Sequence, residues 1–235
     1  VGDLRWRAPE RLDDSDEEIE CVEFGHSARQ FIDEVELASL HEHGEDCLSV
    51  NGWVRGRERK NLPVMVYIHG GAYFSGGSAD PLYNGSNFAA AKDVVIVSIN
   101  YRLNLFGSLL LDCLPGGEDY KDAGYLAILD QIRALEWVHE NISAFGGDPN
   151  CVTLFGESAG SSSQALLSIL PEANKYFQRA ILESGPIQLY KTRERGEYFA
   201  REFAEIMGCK TAQELLAKSA DELIEGMQVW CDRHT

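Results

Sequence analysis

The run Gly156-Glu157-Ser158-Ala159-Gly160 sets a serine between two glycines, after the apolar residues 151–155 and before a helical run. A strand that turns abruptly into a helix holds its middle side chain strained and exposed, and a Cβ at either flanking position would crowd the turn. Backbone N–H groups at the helix start favour negative charge developing beside that hydroxyl. Earlier in the chain, His69-Gly70-Gly71-Ala72 closes another apolar run. A glycine-rich turn lets bare N–H groups approach a ligand oxygen closely. A nucleophilic hydroxyl with such donors suits acyl transfer, in which a carbonyl oxygen becomes an oxyanion.

Those residues need strands and helices to hold them. Leu62–Ile68 and residues 93–100 are near-continuous β-branched runs, the pattern of parallel strands covered on both faces. A short helical stretch lies between them, around residues 86–92. Apolar positions Leu126, Leu129, Ile132, Leu135, Val138 and Ile142 predict an amphipathic helix over 122–142, ended by Gly146-Gly147-Asp148-Pro149. Residues 151–155 predict a third long strand, and a helix runs from the serine to about Leu170, stopped by Pro171. A fourth strand is expected near 179–182. Phe199, Phe203, Ile206 and Met207 share one helical face, with Gly208 as the stop. Thr211 with Glu214 and Ser219 with Glu222 have capping-box spacing. Residues 1–60 read as polar and irregular. Strand–helix alternation over one continuous stretch predicts an α/β fold with a mostly parallel sheet.

Composition narrows the partners. The 235 residues carry 44% hydrophobic and 25% charged side chains, which excludes wholesale disorder. A net charge of −17 disfavours nucleic acid and anionic membrane surfaces, both of which call for clustered cations. No apolar run approaches the roughly 18 residues of a membrane span. Six scattered cysteines make no disulfide scaffold. The acidic residues 13–20 lack calcium-loop spacing and read as a solvated loop. His41-Glu42-His43 sets two imidazoles apart with no third ligand nearby, so no metal is expected.

Several motifs in order carry a resemblance. They are Val1-Gly2-Asp3-Leu4-Arg5-Trp6-Arg7-Ala8-Pro9, Glu45-Asp46-Cys47-Leu48-Ser49-Val50-Asn51, residues 63–77, Asn100-Tyr101-Arg102, and Asp130-Gln131 with Ala134-Leu135 and Trp137-Val138. Residues 141–160 and Ala180-Ile181-Leu182-Glu183-Ser184-Gly185 complete the set. The chain resembles the type-B carboxylesterase and cholinesterase family of α/β-hydrolases over nearly its whole length.

The resemblance implies a partial α/β-hydrolase domain over residues 1–235, without either end, hydrolysing carboxylic esters through an acyl-serine. Ser158 would be the nucleophile, and Gly71, Ala72 and Ala159 would supply oxyanion-hole N–H groups. Glu157 would sit near the catalytic histidine or be a buried, hydrogen-bonded acid. Cys21 and Cys47 match the family's first disulfide in spacing, with free thiols the alternative. Leu37 stands where choline-specific members carry tryptophan, so small uncharged esters are the expected substrates. A non-catalytic adhesion or binding module, and a lipase or amidase on the same machinery, are the alternatives. No cofactor or metal is implied, and the oligomeric state is not indicated. The likeness is to simpler microbial-type members, which suggests a cytoplasmic protein, with secretion the alternative. The chain order Ser, Asp/Glu, His calls for a later base. Only His234 follows Ser158 as a histidine, so these residues alone are expected to be inactive.

Overall fold

The computed structural model describes residues 4–11, 19–31, 42–56 and 58–234. Residues 1–3, residues 13–18 of the acidic run, Leu37 and His41 lie outside them. Two short strands, β1 (Ser27–Ala28) and β2 (His43–Gly44), pair in parallel. The main sheet comprises β3 (Val50–Trp53), β4 (Leu62–Ile68), β5 (Val95–Ile99), β6 (Gly147–Glu157) and β7 (Arg179–Glu183), in the order β3-β5-β4-β6-β7. Only β3 runs antiparallel to its neighbour.

Parallel neighbours need crossovers, and helices supply them. The segment α1 (Ser86–Ala91) joins β4 to β5, while α2 (Asn104–Ser108) and α3 (Leu126–Asn141) lie between β5 and β6. Between β6 and β7 come α4 (Ala159–Ile169) and α5 (Pro171–Asn174). After β7 follow α6 (Arg193–Ile206), α7 (Ala212–Leu216) and α8 (Ala220–His234).

One sheet face is sealed. Val64, Val66, Ile68, Val152 and Leu154 are buried in one core with Leu135 and Val138 of α3, Ile142 just after it, and Leu167 of α4. Each such side chain contributes about 1.5–3 kcal/mol by leaving water. A second core joins Trp6, Leu109, Leu111 and Leu126 to Phe203, Leu215, Leu223 and Met227, so α6 to α8 pack beside the sheet. Between the two, Arg102 clamps the buried carboxylate of Asp130 through Nε (2.8 Å), Nη2 (2.6 Å) and its own N–H (3.0 Å). Either partner alone would be a stranded buried charge.

The structure differs from the sequence expectation in four places. The irregular first sixty residues contain β3, whose Asn51 and Gly52 are poor strand formers. It exists through its register, with Val50 opposite Ile99 and Trp53 opposite Ile96. The strand β6 starts at Gly147, because the register shifts between Leu62 and Val64 and takes up the extra residues. Pro171 ends α4 but opens α5, since proline suits a first helical position. Cys21 and Cys47 are not joined. Cys21 is an exposed free thiol and Cys47 is buried in the first core. Burial, aided by the Asp130 charge, pushes the Cys47 thiol up to about 12, so it stays protonated as a small core residue.

Candidate active site

Ser158 stands between the end of β6 and the start of α4 with φ 54° and ψ −118°. A residue with a Cβ pays about 1–3 kcal/mol for such a backbone, which surrounding structure must over-determine. Two close approaches do so. A Cβ added to Gly156 or to Gly160 would overlap the carbonyl oxygen of Ile68, the last residue of β4. The glycines therefore let β6 and α4 press against the neighbouring strand, a tertiary reason beyond the crowding of the turn itself. On the opposite side, the Ser158 N–H donates to the Glu183 carbonyl at the end of β7 (2.9 Å).

The glycine turn lies against this elbow. A Cβ on Gly70 would stand 3.3 Å from Ser158 Cβ and 3.0 Å from the Glu157 carbonyl oxygen. Gly71 has φ 99°, and any side chain there would overlap the Ser75 carbonyl. Ala72 and Tyr73 follow with φ 54° and 64°. The N–H groups of Gly71, Ala72 and Ala159 donate to no acceptor among the described residues. The tertiary structure thus brings Ser158, Ala159 and the 69–72 turn together at the carboxyl ends of β4 and β6, where ligands bind in open α/β sheets.

His69 is buried, stacks on Tyr101 (4.4 Å between centroids) and has its Nδ1 2.8 Å from the Gly70 carbonyl oxygen. That carbonyl belongs to the same trans peptide as the Gly71 N–H, so the imidazole sets the plane of one candidate donor. Burial holds its pKa down at about 4, against smaller opposing effects of the Gly70 carbonyl and Asp80. It is a neutral structural group near pH 7.

Glu157 is exposed, paired across β6 and β7 with Glu183. Among the described residues it is therefore not a buried acid, although Gly70 lies close to its carboxylate. Beside it the Tyr67 and Tyr83 rings lie 4.7 Å apart, and Tyr67 is 5.0 Å from Phe155. Burial raises both tyrosine pKa values, and the Glu157 charge adds to the shift.

His234 does not join the site. Its Nδ1 lies 2.8 Å from the Trp230 carbonyl, its Nε2 lies 3.3 Å from Glu202, and its ring stacks on Trp230. His43, from the other histidine pair, takes the Arg29 guanidinium at 3.0 Å. Two clefts lie elsewhere, one bounded by Arg5, Trp6, Cys47 and Arg102 and the other by Trp53, Arg55 and Ala89. The described residues therefore bring a candidate nucleophile and candidate N–H donors together at one sheet edge. Sequence reasoning missed Tyr73, Gln131 and Ser163 as part of the site's support. The one signal for Tyr73 was its place directly after the glycine turn.

The profile of the carboxylesterase family matches residues 1–233. Para-nitrobenzyl esterase of Bacillus subtilis is 42% identical over 229 residues, covering 96% of this chain and 46% of that protein. Liver carboxylesterase of Sus scrofa is 42% identical over 78% of this chain and 33% of its own length. A crystal structure of a Geobacillus stearothermophilus carboxylesterase superposes with a TM-score of 0.88 at 41% identity, covering 96% of this chain and 46% of that one. The chain spans less than half the length of these relatives. With an α/β-hydrolase sheet, a serine elbow and a glycine turn brought together at its carboxyl edge, this chain belongs to the carboxylesterase family.

Proposed function

We propose that the protein carrying this chain hydrolyses small uncharged carboxylic esters through an acyl-serine intermediate. The observation that carries this is the strained Ser158 elbow with the Gly70 turn packed against it. Ser158 Oγ attacks the ester carbonyl carbon, and its proton passes to a general base. Charge developing on the carbonyl oxygen is met by the N–H groups of Gly71, Ala72 and Ala159. Collapse expels the alcohol and leaves the acyl group on Ser158, and water then releases the acid by the reverse steps. His234 is engaged with Glu202 and Trp230, so the base and its acid partner are not assigned among these residues. Leu37, in place of a tryptophan, supports uncharged rather than quaternary-ammonium substrates. A cytoplasmic location fits six cysteines that are all free thiols.

The test is a fluorophosphonate probe with an aryl-ester assay. The adduct should form on Ser158, and Ser158→Ala should lower turnover about 10⁴-fold or more. Labelling of another serine, with Ser158 untouched, would sink the reading.

A further inference from the structure

Ala72 and Tyr73 lie in succession in the left-handed backbone region, which residues with a Cβ avoid. Something must hold that turn. On the main chain, the Asn104 N–H donates to the Tyr73 carbonyl (2.6 Å), and the N–H groups of Phe74 and Ser75 donate to the Gly71 carbonyl (2.8 and 3.0 Å). On the side chain, the Tyr73 ring sits edge-on to Tyr101 (6.1 Å), whose hydroxyl donates to the His69 carbonyl (2.7 Å). The Tyr73 hydroxyl lies 2.8 Å from Ser163 Oγ and 3.4 Å from the Tyr190 hydroxyl.

Counting protons orders these contacts. The Gln131 Nε2 donates to Ser163 Oγ (3.1 Å). The Tyr190 hydroxyl donates to the Ser162 carbonyl. A hydroxyl has one proton, so Tyr190 can only accept from Tyr73, and Tyr73 in turn accepts from Ser163. The result is one directional chain, from Gln131 through Ser163, Tyr73 and Tyr190 to the Ser162 carbonyl. It links α3, the helix α4 that begins at the nucleophile, the glycine turn and the segment after β7. The Ser162 hydroxyl lies between the Pro186 carbonyl (3.0 Å) and the Ser158 carbonyl (3.2 Å), its single proton shared between the two acceptors.

We propose that Tyr73 is a positioning residue. Its hydroxyl fastens the Gly71–Ala72 turn to the helix that carries Ser158, so that oxyanion donors and nucleophile keep one relative geometry. It touches no reacting atom, and the inference rests on the ester-hydrolase reading above. Misplacing donors lowers the rate of the chemical step more than it lowers ground-state binding.

The experiment uses the ester-hydrolysing protein that carries this chain, with a short-chain aryl ester as probe. Tyr73→Phe keeps the ring against Tyr101 and removes only the hydroxyl. Its kcat should fall about 10-fold with KM held within about 2-fold, since only transition-state contacts loosen. Ser163→Ala should lower kcat by a similar factor. The double variant should lose little more than either single one, because both remove the same link. Tm is followed in parallel, since a merely structural role would lower Tm and leave the kcat of folded protein unchanged. An unchanged kcat in folded Tyr73→Phe, a rise in KM alone, or multiplicative losses in the double variant would each overturn the proposal. If the unmutated protein neither hydrolyses the ester nor labels at Ser158, the ester-hydrolase reading falls and takes this one with it. If it does both and Tyr73→Phe equals it, the positioning role alone falls.

Discussion

Strands β4 and β7 are both parallel and within one strand of Ser158, yet they occupy opposite environments. In β4, Val64, Val66 and Ile68 are fully buried between β5 and β6 and under α3 and α4. In β7, Ile181 and Leu182 keep 45% and 51% of their surface exposed, and among the described residues the strand pairs with β6 alone. Ser158 sits on the boundary. Its flanking glycines press on the carbonyl that ends β4, and its N–H bonds to the carbonyl that ends β7. Among the described residues the elbow thus has a buried strand on one side and a half-exposed strand on the other. Substitutions of equal size should therefore have unequal effects on the two sides.

The largest contrast is expected at the glycines. Gly160→Ala drives a Cβ into the Ile68 backbone carbonyl, which no rotamer change relieves, and should destabilise by more than about 3 kcal/mol. Gly185→Ala, just beyond β7, meets the Ser161 hydroxyl, which can turn away, but also Ser161 Cβ at 3.0 Å and its carbonyl carbon at 3.3 Å, so it should cost about 1–2 kcal/mol, less than Gly160→Ala. Urea midpoints of the two variants check this, and equal losses would erase the distinction. Next come the strands themselves. Leu154→Ala, at a fully buried position beside β4, should cost about 3 kcal/mol. Leu182→Ser, at a position half exposed in this chain, should cost about 1 kcal/mol in the same measurement.

The smallest effect sharpens the comparison through pH. His69, on the buried side, titrates near 4 when folded against 6.5 when free. The depressed value means that the unfolded state binds the proton first. The stability linked to neutral His69 is complete above pH 6.5 and is lost as pH falls toward 4. Between pH 7 and pH 5 the loss should be about 2 kcal/mol. Unfolding midpoints at those two values, with His69→Gln as the reference that lacks the titration, measure it. Equal pH dependence in both proteins would show that the imidazole is not held neutral.

The two halves of the candidate site differ in how legible they were. The Ser158 elbow could be read because its chemistry is local, with a strand, a glycine-flanked serine and a helix in sequence. The 69–72 turn was legible as a glycine-rich strand end, and the resemblance supplied its role. The hydrogen-bonded tie from Gln131 to Tyr190 was not legible, because its members come from four separate elements far apart in the chain and only folding brings their hydroxyl and amide groups together. The strand β3 was hidden for a related reason. Asn51 and Gly52 have no strand preference of their own, and only pairing with β5 makes them a strand.

By itself the sequence determined the α/β alternation, the strands β4, β5 and β7, most of α3, the capped starts of α7 and α8, and the identity of the serine at the turn. Each of these rests on periodicity, propensity or capping between residues a few positions apart. Only the tertiary structure decided that Gly70 meets Ser158, that Glu157 is exposed, that Cys21 and Cys47 stay apart, and that His234 binds Glu202 instead of reaching the nucleophile. Those outcomes depend on which elements pack together, and packing free energy is shared among residues far apart in the chain.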